Sequence, residues 1–104
     1  MRYAIVRYST DRRDVASYSV EITRSRRRAA SALREKPERA YPDDPKNFHH
    51  RVTLVYVLPA GFRTPSSKKL DQMMRDFPPP VTREYVLASF VAQHGKLALT
   101  ERDL

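Results

Sequence analysis

Residues 16–36 read "ASYSVEITRSRRRAASALREK", and partway along them the spacing of the apolar residues changes. Over 16–23 the period is two. Tyr18, Val20 and Ile22 fall on one side and Ser17, Ser19, Glu21 and Thr23 on the other, the pattern of a half-buried strand. From Arg24 the period lengthens to that of a helix running to about residue 36 and stopped by Pro37. On a wheel of about 100° per residue, Arg24, Arg27, Arg28, Ser31 and Glu35 share one side, with Arg34 close by. Ala29, Ala30 and Leu33 lie opposite, and Arg26 stands at the edge of that thin apolar face. A strand leading directly into such a helix makes this a mixed α and β chain.

The flanking segments extend the same pattern. Residues 2–8, "RYAIVRY", carry the β-branched and aromatic side chains of a strand. The short polar link "STDRRD" makes an antiparallel hairpin with 16–23 the simplest arrangement. Residues 50–58, "HRVTLVYVL", give a third strand, apolar on both sides in its second half and so expected in the middle of the sheet, covered on both sides or close to it. A second helix is expected over 65–77, with Thr64 as N-cap and Pro65 at its first position. Its buried stripe is Leu70, Met73, Met74 and Phe77.

Residues 82–94 fit a helix better than a strand. At helical spacing Val86, Leu87, Phe90 and Val91 share a face against Glu84, Ser89 and Gln93, whereas a period of two mixes polar and apolar residues on both sides. Gly95 is expected as a left-handed cap, and "KLALT" at 96–100 leaves room for a short edge strand. The expected architecture is one α+β domain over 1–104. It has an antiparallel sheet of three to four strands with helices packed on one face, in the order β-β-α-β-α-α plus a final short β.

The composition narrows the function classes. A chain of 104 residues without cysteine has neither disulfides nor thiolate metal sites. No apolar run approaches the ~18–20 residues of a membrane span. The opening "MRYAIVRYS" is too short and too alternating for a signal peptide, so a cytoplasmic protein is expected. Twenty Lys and Arg against twelve Asp and Glu give a net charge of +8, with an isoelectric point near 10.2, the electrostatic footprint of a nucleic-acid binder. Fifteen of the twenty cations are arginine, the side chain suited to bidentate phosphate contact.

Four of these arginines, Arg24, Arg26, Arg27 and Arg28, crowd a helix start, where the backbone already presents partial positive charge. Glu38, Asp11 and Asp14 offer partial local relief. An external polyanion offers more, because a helix start with its unpaired N–H groups favours anions. Arg34 lies on the same helix, while Arg12 and Arg13 in the hairpin turn and Lys68 and Lys69 on the second helix are candidates to extend the patch. The helix offers no exposed Asn or Gln for reading base edges, so phosphate contact with little sequence preference is the expected mode, on DNA or RNA. The alternative is a small interaction or inhibitor protein of the phage or mobile-element type, docking on an acidic protein surface or a nucleoprotein complex.

Catalytic chemistry finds little support. Asp43, Asp44, His49 and His50 sit in "DDPKNFHHR", yet adjacent histidines on a strand point to opposite faces. A phosphoesterase His-x-Thr motif would need one residue fewer between His50 and Thr53, and a second copy. Two glycines in the whole chain exclude a phosphate-cradling glycine loop. Tyr3, Tyr8, Tyr18 and Tyr56 are assigned to the core or its edge, since the aromatic-glycine-aromatic strand of RNA-recognition modules is missing. The expectation is a non-enzymatic protein with no cofactor and no metal.

Overall fold

The elements in chain order are β1 (Arg2–Thr10), β2 (Ala16–Thr23), α1 (Arg26–Leu33), β3 (His50–Leu58), α2 (Ser67–Met74), α3 (Arg83–His94) and β4 (Lys96–Leu97). They come from a computed structural model that describes residues 1–10, 16–35, 50–77 and 81–97. The strands form one antiparallel sheet in the order β2-β1-β3-β4. β1 pairs with β2 from Tyr3 opposite Thr23 to Thr10 opposite Ala16. On its other side it pairs with β3, from Arg2 opposite Leu58 to Thr10 opposite His50. Because both neighbours run against β1, β2 and β3 are parallel to each other, and α1 carries the chain across β1 between them. β4 adds a short pairing, Leu97 opposite Tyr56.

Successive side chains of a strand point to opposite faces, and β1 and β3 are apolar on both. Tyr3, Ile5 and Val55 pack beneath Ala29 and Ala32 of α1, with Leu33 and Val57 alongside. The alternate residues Ala4, Val6, Tyr56 and Leu58 pack with Phe62 against Ala88 and Val91 of α3. α2 leans on α3. The helices therefore cover both faces of the sheet, not one as the sequence pattern was expected to give. The reason is visible in "YAIV" and "VYVL": strands apolar on both sides need a layer on each.

Side-chain caps set where each helix begins. Ser25 takes an extended backbone and its hydroxyl accepts the Arg28 N–H at 3.1 Å. α1 therefore starts at Arg26, and Arg24 precedes it. Ser66, not Thr64, caps α2, accepting from the Lys69 N–H at 3.2 Å, so Pro65 lies before the helix instead of opening it. Thr82 caps α3 in the same way, accepting from the Tyr85 N–H at 3.1 Å.

The residue after α3 departs from expectation. Gly95 is extended (φ −88, ψ 166) and not left-handed. Glycine is required there by close approach, since a Cβ would meet the Val91 carbonyl oxygen at 2.9 Å and the Tyr56 Cβ at 3.1 Å. The missing side chain lets α3 turn tightly against β3 into β4.

Candidate nucleic-acid interface

α1 lies over the face of the sheet that carries Ile5, and next to Ile5 on that face are two charged residues. Arg7 of β1 stands opposite Ser19 of β2, which places Glu21 diagonally across from it, within reach of a long side chain. From above, α1 contributes Arg28, and Glu35 follows its C-terminal cap. Arg7 holds Glu35 with two parallel bonds, Nε to Oε2 and Nη2 to Oε1, both 2.8 Å. Arg28 holds Glu21 in the same way, Nε to Oε2 at 2.7 Å and Nη2 to Oε1 at 2.9 Å. Weaker contacts close the quartet, Arg7 Nη1 to Glu21 Oε1 at 3.7 Å and Arg28 Nη1 to Glu35 Oε1 at 3.8 Å.

These fork-to-fork pairs are the strongest geometry available to Arg and carboxylate. Hydrogen bonding from Arg28 holds the Glu21 carboxyl below its ordinary range, against the opposing pull of burial. The bond to Glu35 raises Arg7, again against burial. Two guanidiniums and two carboxylates leave the quartet without net charge. It fastens a helix whose own contact with the sheet rests mainly on two fully buried alanines.

The quartet divides the arginines expected to form the interface. Arg28 is committed to Glu21. Arg26, exposed at the first helical position, is engaged in an interaction of its own. Arg24, Arg27 and Arg34 are exposed and form no ion pair among the described residues. Arg27 and Arg34 are seven residues apart, so they line one ridge of α1 about 10 Å from each other along its axis. The first turn holds no acidic residue. Lys68 and Lys69 are exposed on α2, which lies on the other side of the sheet with α3. They do not extend the α1 patch. Arg12 and Arg13 lie outside the described residues, as do Asp11, Asp14 and Glu38.

Sequence reasoning missed Arg7 and Glu21 as partners of this helix. The period of two places Glu21 on the polar side of β2. Its role follows only once α1 is placed over that same side, and no local pattern announces that placement.

The tyrosines of the strands and of α3 serve packing. Tyr3 and Tyr56 are buried. Tyr8 and Tyr18 stack across the β1–β2 pair at 5.6 Å between centroids, Tyr85 meets Tyr18 edge-on at 5.0 Å, and Phe77 meets Tyr85 at 5.6 Å. Burial, reinforced by the neighbouring tyrosines, raises the Tyr18 hydroxyl above its ordinary value. This row of rings occupies the α3 side of the sheet, away from the arginines.

Among the described residues no group of three or more His, Asp or Glu side chains is placed to hold a metal. Asp43, Asp44 and His49 fall outside those residues. No helix among the described residues is long and apolar enough to cross a membrane. No protein-family model, curated protein or solved structure matches the chain.

Proposed function

We propose that this is a non-enzymatic cytoplasmic protein that binds the phosphate backbone of nucleic acid, with little sequence preference, through Arg24, Arg27 and Arg34. One observation carries the reading. Among the described residues the two glutamates that reach α1, Glu21 and Glu35, are already taken by Arg28 and Arg7, while three exposed arginines of the same segment have no carboxylate there. The exposed guanidinium groups of Arg24 and Arg27 at the helix start, and of Arg34 at its C-terminal cap, match phosphate oxygens in charge and in fork geometry. Arg28 leaves the set of gripping residues that the sequence pattern proposed, and Lys68 and Lys69 leave the surface.

The test is a titration of labelled DNA and RNA of equal length at several salt concentrations, beside poly-glutamate as a carboxylate polyanion. The expected result is binding to both nucleic acids, insensitive to base sequence, with affinity falling by about 0.7–0.9 log units per log unit of salt for each phosphate engaged. Absence of binding at low salt would end the reading. Poly-glutamate bound as tightly as nucleic acid would transfer the surface to an acidic protein partner.

A further inference from the structure

The two halves of the quartet differ in how open they are. The Arg7 side chain is 15% exposed and Glu35 27%, whereas Arg28 is 41% exposed and Glu21 37%. The Arg7–Glu35 pair is an anchor between helix and sheet, shielded on most sides. The Arg28–Glu21 pair sits at the surface, where solvent and salt screen its attraction more than that of the anchor. Its arginine belongs to the same helix turn as Arg27 and directly adjoins the cations that form no ion pair among the described residues.

We propose that Glu21 is a built-in competitor for Arg28. Its carboxylate occupies, with the same two-bond geometry, the seat that a phosphate would take. In the resting protein Arg28 is engaged by Glu21, and the grip is limited to Arg24, Arg27 and Arg34. When Glu21 is neutralised, Arg28 joins them and adds one phosphate contact. The groups that face Glu21 are Arg28 from α1 and Arg7 from β1, and Arg7 is in turn held by Glu35. Losing the Glu21 charge therefore removes both hydrogen bonds from the Arg28 guanidinium and leaves it the longer 3.8 Å contact to Glu35, while Arg7 keeps its main partner.

This rests on the polyanion reading above and is tested by a double-mutant comparison on a short labelled DNA duplex. Glu21→Gln is expected to bind several-fold more tightly at low salt, with a salt slope steeper by about 0.7–0.9. Arg28→Gln is expected to change neither quantity in the wild-type background, and to cancel both gains in the Glu21→Gln background. Glu21→Thr, which removes the carboxylate but keeps strand preference, serves as a second variant should the first fold poorly. Glu84→Gln, on the other side of the sheet, is the control for mere loss of one negative charge and is expected to leave binding unchanged.

If wild type binds and neither Glu21 variant differs from it, or if Arg28→Gln weakens both backgrounds equally, the competitor role is wrong and the polyanion reading stands. An equal gain from Glu84→Gln also overturns the competitor role. If neither wild type nor the Glu21 variants bind, both fall together.

Discussion

The α1 side and the α3 side of the sheet cover similar apolar strand surfaces with different materials. On the α3 side the contact is made by bulk. Val6, Tyr56, Leu58 and Phe62 interlock with Val91 and Ala88, and a row of half-buried rings continues toward α2. Residues 64–94 carry four Lys or Arg and three Asp or Glu, close to balance. On the α1 side the helix meets the sheet mainly through Ala29 and Ala32, which bury little area, and the Arg7–Glu35 and Arg28–Glu21 pairs stand beside them. Residues 21–35 carry five arginines and two glutamates, and both glutamates serve the anchor. The side that contributes less apolar packing is therefore the side left with positive charge facing solvent. Bulk apolar packing and exposed positive charge are separated across the thickness of one sheet.

That separation can be broken most directly by truncating large side chains. Leu58→Ala, beneath α3, is expected to cost about 2–5 kcal/mol, measured by denaturant unfolding. The half-buried Leu33→Ala on α1 is expected to cost less than half as much. Equal losses would erase the contrast. Ala32→Leu comes next. Ala32 has no exposed surface, so a larger side chain must lift α1 from the sheet, at about 1–3 kcal/mol. Its melting loss should be accompanied by disruption of the Arg7–Glu35 pair, visible as a change in the arginine side-chain signals by nuclear magnetic resonance.

Capping changes sharpen the comparison at a smaller scale. Ser25→Ala and Thr82→Ala each remove one hydroxyl acceptor from a helix start and are expected to cost about 1 kcal/mol. Only the Ser25 change should also weaken polyanion binding, because it loosens the turn that carries Arg27.

A smaller effect is expected from acid. Hydrogen bonding to Arg28 lowers the Glu21 carboxyl from its ordinary 4.5. Its contribution to stability is complete above that value and is lost as the pH falls through the lowered one. Both side chains of the pair are more than a third exposed, so solvent screening keeps the contribution small. Glu21→Gln should flatten the corresponding part of the acid limb in a pH series of melting temperatures. The smallest stability effect belongs to the proposed binding surface. Arg27→Gln with Arg34→Gln is expected to shift stability by no more than about 0.5 kcal/mol.

The strands were legible because period two leaves a plain record. Both 16–23 and 50–58 coincide with β2 and β3, and β1 runs two residues past the expected 2–8. The third helix was legible from the spacing of Val86, Phe90 and Val91. Helix starts were less so. Thr64 and Ser66 are both suitable caps, and which of them points its hydroxyl at a free N–H depends on backbone angles that residue identity does not fix. The double covering of the sheet was written in the unbroken apolar runs of β1 and β3, but so were alternatives with one covered face. The division among the arginines was least legible. Arg28 and Arg27 are neighbours of the same chemistry, and only the placement of Glu21 beneath one of them separates their roles.

The central claim is that Arg24, Arg27 and Arg34 hold their charge for an external polyanion. It is tested most directly by the salt dependence of nucleic-acid affinity in the wild type and in the triple variant Arg24→Gln, Arg27→Gln, Arg34→Gln. The account predicts an unchanged melting temperature and a log–log salt slope shallower by about two to three, the sum for three lost phosphate contacts at ~0.7–0.9 each. A triple variant that binds with wild-type affinity and wild-type slope would contradict it.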